Sequence, residues 1–244
     1  DPLVQQMVRW LAGAELHGTY AVAMRACAFA TLGEKQTAEH LRKDVAWLVR
    51  AAASDGSYTY TSADGKDPQA YDNSNSHMAV LGVWEGASRG VEVPAAYWRR
   101  VEAHWIAQQS PEGGWGYLIR PGGATVKTYG SMTAAGLATL YVCFDNLRRD
   151  AFVRCLGSEA YKPIVDGLKW LEKHFSVREN PRLGPNWYYY WLYCLGRVGL
   201  ASGRREFGGH DWYAEAAAEL RDTQNPDGSW GSADTVADTA LALL

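Results

Sequence analysis

Apolar and polar residues alternate along the chain with the period of an α-helix, in two contrasting kinds of segment. Segments of the first kind carry few charges and are apolar nearly all round, which predicts helices covered on both faces. They span residues 20–32, 75–88, 131–146, 187–198 and 238–244. Segments of the second kind place charge on one face and Trp or Leu on the other, which predicts half-exposed helices. They span residues 4–14, 37–52, 95–109, 161–174 and 212–223.

The regular alternation of these two kinds of segment predicts how the helices are layered. A covered helix next to a half-exposed helix, repeated from end to end, indicates an inner and an outer layer. Small residues such as Ala134, Ala135 and Gly136 in the third covered segment allow neighbouring backbones to approach closely. We therefore predict an all-α fold, an (α/α) toroid of about five inner–outer pairs that forms a single domain over residues 1–244. Whether a further pair closes the ring is left open.

A turn of similar sequence follows three of the half-exposed segments. The three copies are SDGSY at 54–58, PEGGWG at 111–116 and NPDGSWG at 225–231. The glycine permits the positive φ that ends a helix, and the acidic or amide residue before it favours a tight turn. We predict that the following Tyr or Trp packs under the next repeat. We also predict that Gln108 or Gln109, and Gln224, hydrogen-bond the helix-end carbonyls.

The half-exposed helices also repeat a large apolar residue before the turn. Trp47, Trp105 and Trp170 are predicted to occupy matching positions, and Leu220 takes that position in the last helix. The fourth repeat lacks the turn and has residues 181–187, PRLGPNW, in its place. Its two prolines predict a rigid connection.

Composition excludes some classes of partner. The formal net charge is −3, which offers no electrostatic reason to expect a nucleic acid partner or an anionic membrane. No apolar run approaches the roughly 18 residues of a membrane span. The four cysteines show no CxxC spacing, and Cys27, Cys143 and Cys194 lie in apolar helical segments, which predicts reduced thiols; the fourth is Cys155. No feature indicates a compartment. The sequence begins at Asp1 and ends within a predicted helix, so we expect it to be part of a longer chain.

Several motifs carry a resemblance to a known superfamily. Residues 101–115 and 216–230 resemble the QW repeats of the squalene-hopene cyclase and protein prenyltransferase superfamily. Residues 72–75, 130–136 and 208–213 resemble a bacterial group of squalene-cyclase-like proteins of unassigned function. The resemblance covers essentially the whole chain and implies the toroid. It also implies that a further C-terminal domain is a possible partner, because the toroid often precedes one in that group.

A toroid brings the starts of its inner helices to one rim, which is the natural place for a ligand. The ligand-binding candidates near these starts are Tyr20, Tyr71, Asp72, Asn73, Asn75, His77, Tyr129, Met132, Trp187 and Tyr189. Two alternatives stay open. The polar run at 72–75 is either a helix cap with an Asx turn or a set of ligand contacts. The aromatic run at 187–193 either packs in the core or stacks on a ligand.

Catalytic candidates come from the resemblance to class II terpene cyclases, which protonate an alkene with the middle Asp of a D-x-D-D-T-A motif. The matching residues here are TVADTA at 235–240, which place Ala237 where the acid would stand. Asp234 and Asp238 are therefore the candidate catalytic residues, and the alternative is that they only cap the helix. Cys194 lacks the Asp two residues earlier that the zinc site of prenyltransferases has. We predict no metal site and no cofactor.

These observations favour a binding domain of unassigned activity. We predict that it holds an apolar or aromatic-stacking ligand, such as a hydrophobic or carbohydrate small molecule, or a partner segment. The first alternative is an isoprenoid cyclase or transferase that uses a displaced Asp. The second alternative is a carbohydrate-active toroid, since related toroids occur among polysaccharide-active enzymes.

Overall fold

The structure is a computed structural model that describes residues 1–66, 71–119, 127–148 and 161–244. Ten α-helices make up most of these described residues. They are α1 Pro2–Gly13, α2 Thr19–Leu32, α3 Ala38–Ala51, α4 Asn73–Ser88, α5 Ala95–Ala107, α6 Gly130–Leu147, α7 Lys162–His174, α8 Tyr188–Ser202, α9 Trp212–Thr223 and α10 Thr235–Leu243. A short 3-10 helix, Lys35–Thr37, precedes α3.

Two antiparallel strand pairs complete the described elements. Strand β1, Tyr71–Asp72, pairs with β2, Leu118–Ile119, and β3, Glu206–Phe207, pairs with β4, His210–Asp211. The sequence did not predict these two-residue strands. Each of the ten predicted helical segments does overlap one helix, so the predicted all-α class is confirmed.

Contacts between backbones divide the chain into two compact units. The first contains Asp1–His104 together with strand β2, and the second contains Trp105–Tyr117 and the described residues from 127 to 244. In the first unit, α2 packs on α3 and α4, and α3 also packs on α4. Glycines make these approaches close, since a Cβ at Gly82 would lie 3.0 Å from the Cα of Ala23.

The second unit is built around α6 and α8. Helix α6 packs on α7 and α8, and α8 also packs on α9 and α10. Trp115 lies in the core of this unit and is fully buried. A Cβ at Gly136 of α6 would come within 2.6 Å of its indole ring, so only glycine allows this contact.

Burial follows the two predicted kinds of segment, covered and half-exposed, in most of the chain. Most residues of helices α4 and α6 are buried, whereas Val8 is the one buried residue of α1. The prediction that all covered segments are enclosed is wrong for α10, which has no buried residue. Its Val236 is 81% exposed and its Leu243 is 71% exposed. Helix α10 packs on α8, and this contact leaves all of its residues at least partly exposed.

The three repeated turns share their geometry. Each turn glycine has a positive φ, namely 89° at Gly56, 93° at Gly113 and 87° at Gly228. The backbone N–H of the aromatic residue donates to a hydroxyl of the next helix that was predicted to be covered, namely α4, α6 or α10. These bonds join Tyr58 to Ser76 at 3.0 Å, Trp115 to Thr133 at 3.2 Å and Trp230 to Thr239 at 2.9 Å. The predicted connecting role of the turn is thus confirmed.

The aromatic side chain of each turn also reaches back to the helix before it. The Tyr58 hydroxyl and the indole N–H groups of Trp115 and Trp230 donate to a carbonyl ten residues earlier. The acceptors are Leu48 at 2.9 Å, Trp105 at 2.7 Å and Leu220 at 2.8 Å. The prediction that Trp47 matches Trp105 is therefore wrong by one residue, because the buried Leu48 holds the equivalent position.

The glutamines bond the turns and not the helix ends. The side chain of Gln109 donates to the Gly113 carbonyl at 2.8 Å, and the side chain of Gln224 donates to the Gly228 carbonyl at 2.9 Å. Gln109 also donates to the Pro163 carbonyl at 2.8 Å and so ties its turn to the first turn of α7.

None of the helices that the structure describes combines the length and the apolar character that crossing a bilayer requires.

Candidate functional site

The polar run at the start of α4 forms a helix cap. The carboxylate of Asp72 accepts hydrogen bonds from the Asn75 backbone N–H at 2.7 Å and the Ser74 hydroxyl at 2.7 Å. Its second oxygen accepts from the Asn75 side-chain amide at 2.6 Å. Asp72 is also buried, so its oxygens serve the cap and the turn within the first unit.

A histidine that the sequence did not single out lies beside this cap. His104 of α5 is buried, and its Nε2 lies 3.1 Å from the side-chain oxygen of Asn73. Its Nδ1 lies 3.7 Å from the Asp55 carboxylate, and the Tyr71 ring meets it edge-on with centroids 4.9 Å apart. His104 therefore connects the first repeated turn to the starts of β1 and α4.

Burial and hydrogen bonding act on Asp55 in opposite directions. Burial alone would raise the pKa of its carboxyl group, but the nearby His104 ring and the hydrogen bonds from Ser57 outweigh burial and lower the pKa to about 2. Both the Ser57 backbone N–H and the Ser57 hydroxyl donate to this carboxylate. Asp55 is therefore an anion at any pH above about 3.

The other candidates of the first unit are mostly enclosed. Asn73, Asn75 and His77 are fully buried, and Tyr71 is nearly so, whereas Tyr20 is partly exposed. The side-chain oxygen of Asn75 has no hydrogen-bond partner among the described residues.

The start of α6 is covered by residues from the connection before α8. The backbone N–H of Ser131 donates to the side chain of Asn180 at 2.9 Å, and that of Gly130 donates to the Pro181 carbonyl at 2.8 Å. Tyr129 and Met132 beside them are buried. These N–H groups are satisfied within the second unit, so they do not offer an anion site.

The structure brings three candidates together where α8 and α10 meet. Asp234 is the N-cap of α10 and accepts the Ala237 backbone N–H at 3.2 Å. The Tyr189 hydroxyl accepts the Gly231 backbone N–H at 3.1 Å, and a Cβ at Gly231 would clash with the Asp238 carboxylate. Tyr189 and Asp238 thus lie against the same glycine.

Burial raises the pKa of Asp238, and the nearby charge of Asp234 raises it further. Burial likewise raises the pKa of the Tyr189 hydroxyl, and the charge of Asp238 adds to this effect. The pair therefore holds its protons more firmly than ordinary aspartate and tyrosine side chains do.

Trp187 differs from the rest of the aromatic run. Tyr190, Trp191 and Tyr193 are buried, as the core alternative predicts. Trp187 is the N-cap of α8, has a φ of 54° and is 74% exposed. A bulky residue at positive φ is a strained outlier.

The turn hydrogen bonds reveal an equivalence that the sequence did not show. Because Ser76, Thr133 and Thr239 accept from equivalent turn residues, the positions just before them also correspond. Those positions hold Asn75, Met132 and Asp238. Each of these three candidate residues therefore occupies the same position in its own repeat.

Across the described ranges, no group of three or more His, Cys, Asp or Glu side chains is placed to hold a metal ion. Cys27, Cys143 and Cys194 are reduced thiols, with Cys143 and Cys194 buried, while Cys155 lies outside the described residues. Burial raises the pKa of the Cys194 thiol, which disfavours the thiolate that a nucleophile or zinc ligand needs.

No protein-family model and no curated protein matches the chain. The likeness to squalene-cyclase-like proteins accordingly stays a prediction from the motifs.

Proposed function

We propose that the chain is a squalene-cyclase-like (α/α) toroid that binds an apolar or aromatic-stacking ligand and does not start a cyclisation. Two kinds of observation support the fold. Enclosed and half-exposed helices alternate from α1 to α9, and three equivalent turns join one repeat to the next.

The exposed ring of Trp187 is the observation that carries the binding function. Holding a tryptophan at positive φ costs about 1–3 kcal/mol, which the surrounding structure must offset. The ring gains no enclosure in return, since it is 74% exposed. A surface-held aromatic of this kind suits stacking on a sugar ring or contact with a hydrocarbon. Tyr189, two residues later and partly exposed, extends the same end of α8.

The carboxyl groups give less support to catalysis. Asp72 is committed to its cap, Asp234 caps α10, and Ala237 stands where the cyclase acid would be. A binding role needs none of them to transfer a proton.

The test compares two exposed tryptophans. We expect Trp187→Gly to abolish binding detected by native mass spectrometry with a panel of linear polyprenols and neutral oligosaccharides. Glycine also relieves the strain at positive φ, so the variant should be more stable by about 1 kcal/mol. Trp10→Ala is the matched control, because Trp10 is 73% exposed on α1 and should leave binding unchanged. Equal binding by wild type and Trp187→Gly would refute the proposed site.

One observation favours the cyclase alternative, namely the raised pKa of Asp238 beside Tyr189. A raised pKa favours the protonated form that a general acid needs. If wild type converts a linear polyprenyl substrate and Asp238→Asn stops conversion while Asp234→Asn does not, Asp238 is the acid. Conversion that survives Asp238→Asn, Asp234→Asn and Asp72→Asn rules the alternative out. The oligosaccharides of the panel test the carbohydrate alternative.

A further inference from the structure

The connection before α8 concentrates backbone strain. Arg182 has a φ of 65° and Trp187 has a φ of 54°, and they are two of the three non-glycine residues with positive φ in the described part of the chain. Such residues persist only where the surrounding structure fixes them, and they are common at functional sites. Trp187 makes no side-chain hydrogen bond that caps α8, and its ring is exposed. Neither capping nor burial therefore explains a tryptophan at this position.

Side chains of α8 close the connection into a loop. The Tyr188 hydroxyl donates to the Val177 carbonyl at 2.6 Å, and the Trp191 indole N–H donates to the Ser176 carbonyl at 2.9 Å. These bonds join the beginning of the connection to the first turn of α8. Because Trp191 is fully buried, the closure is anchored in the core of the second unit.

Asn180 joins this loop to α6 and is fully buried. Its backbone N–H donates to the Gly184 carbonyl at 2.9 Å, and its backbone carbonyl accepts the Leu183 N–H at 2.8 Å. Its side-chain oxygen accepts the Ser131 backbone N–H at 2.9 Å, at the start of α6. Its side-chain amide donates to the Ser131 hydroxyl at 3.0 Å and to the Asn186 carbonyl at 3.1 Å. Both hydrogens of the amide are thus used.

The bond to the Asn186 carbonyl acts directly on Trp187. The φ and ψ angles of a residue are set by the two rigid peptide planes on either side of its Cα atom. The Asn180 amide holds the plane before Trp187 through the Asn186 carbonyl. Helix α8 holds the plane after it, since the Trp191 N–H donates to the Trp187 carbonyl at 2.9 Å. With both planes fixed, the Trp187 side chain leaves the loop in one direction.

We propose that Asn180 is a positioning residue of the Trp187 binding site, an inference that rests on the binding function proposed above. Asn180 holds Trp187 at positive φ before a ligand arrives, which removes the entropy cost of ordering the residue on binding. A released Trp187 would relax to negative φ, which a bulky residue prefers, and its ring would turn away. Only the fraction of molecules that kept the original conformation would bind, so the apparent Kd would rise in proportion.

Asn180→Asp separates this role from the role of Asn180 at the start of α6. The carboxylate still accepts the Ser131 backbone N–H, and the Ser131 hydroxyl can turn to donate to it. An oxygen replaces the amide donor that faced the Asn186 carbonyl, and the two oxygens repel each other. Ser131→Ala is the matched control, because it removes one acceptor of the Asn180 amide and leaves the bond to Asn186 in place.

The first measurement follows Trp187 without a ligand. In protein labelled with ¹⁵N-tryptophan, the Trp187 backbone amide is assigned by its loss in Trp187→Gly. We expect its NMR order parameter to be about 0.85 in wild type and Ser131→Ala, and below about 0.6 in Asn180→Asp. An unchanged resonance with an unchanged order parameter in Asn180→Asp would overturn the inference.

The second measurement follows binding by native mass spectrometry with the same polyprenols and neutral oligosaccharides. For a compound that wild type binds, Asn180→Asp should raise Kd roughly tenfold or more, and Ser131→Ala should leave it within about twofold. A mobile Trp187 amide with an unchanged Kd would also overturn the inference. If wild type binds none of the compounds, the proposed function fails, and the amide measurement still decides whether Asn180 positions Trp187.

A third measurement uses wild type alone and so does not depend on Asn180→Asp folding. The side-chain amide protons of Asn180 should exchange with solvent at least roughly tenfold more slowly than those of the exposed Asn186. The reason is that both hydrogens of the Asn180 amide are bonded in a buried place. Equal exchange rates would show that Asn180 does not hold the Asn186 carbonyl.

Discussion

Asp55 illustrates at the residue scale how a fold sets the charge of one side chain. Its neighbours Ser57 and Gly56 are visible in the sequence as a turn motif. Its partner His104 lies 49 residues away, on α5, and only the packing of α5 on the turn brings the two together. The turn glycine could thus be predicted from the sequence, whereas the contact between Asp55 and His104 could not.

Replacing Asp55 should make stability depend less on pH. Its pKa is lowered from 3.8 to about 2 in the folded state, so the ionised group stabilises the fold above pH 3.8. This stabilisation is lost as pH falls through the folded value. We expect Asp55→Asn to cost roughly 1 kcal/mol at pH 7, a figure reduced for screening because the side chain is 41% exposed, and almost nothing near pH 2. Urea unfolding at both pH values measures this, and a cost that does not change with pH would contradict it.

At the scale of elements, the helices follow from local periodicity. Each predicted segment became a helix with boundaries close to those predicted, as for 212–223 and α9. The register between repeats was less predictable. Trp47 was matched to Trp105, but hydrogen bonding shows that Leu48 is the equivalent residue. Periodicity identifies the buried side of a helix. It does not show which of two adjacent apolar residues occupies the position equivalent to Trp105, because that depends on the hydrogen bond made by a residue ten positions later.

The hydroxyl that receives the turn N–H should matter more than a similar hydroxyl on the same helix. Thr133 accepts the buried N–H of Trp115, whereas Thr139 donates only to the Ala135 carbonyl of its own helix. We expect Thr133→Val to cost about 2 kcal/mol because it leaves a buried donor unsatisfied. Thr139→Val should cost less than about 1 kcal/mol. Chemical denaturation of both variants tests the difference, and equal costs would show that the turn does not depend on this bond.

At the scale of the whole molecule, the described chain consists of two compact units whose boundary falls inside α5, between His104 and Trp105. Strand β2 follows the first part of the second unit in sequence but pairs with β1 in the first unit. A single cut of the chain therefore does not separate the two units cleanly.

Two buried thiols should report one opening of the second unit. Cys143 of α6 and Cys194 of α8 are both fully buried, and their helices pack on each other. The alkylation rate of each thiol is measured in a variant that keeps it as the sole cysteine, and is divided by its rate in the unfolded chain. We expect this ratio to give the same opening free energy for Cys143 and Cys194. A sole Cys27, which is partly exposed on α2, should react faster. Different opening free energies for Cys143 and Cys194 would show that the second unit is not cooperative.

The sequence by itself determined the all-α class, the ten helical segments and the three turns with positive φ. These depend on the spacing of apolar residues and on glycine, which act over a few neighbouring positions. It also offered the cap at Asp72 as one of two alternatives, because capping is local.

Tertiary structure alone decided which candidates are enclosed and which reach the surface. Asn180 covers the start of α6 from 49 residues away, and Asn75 and Met132 are buried while Trp187 is exposed. It also placed Tyr189 and Asp238 against Gly231 and left α10 uncovered. Burial and pKa depend on contacts between residues far apart in the chain, and no local pattern encodes which distant segment will supply them.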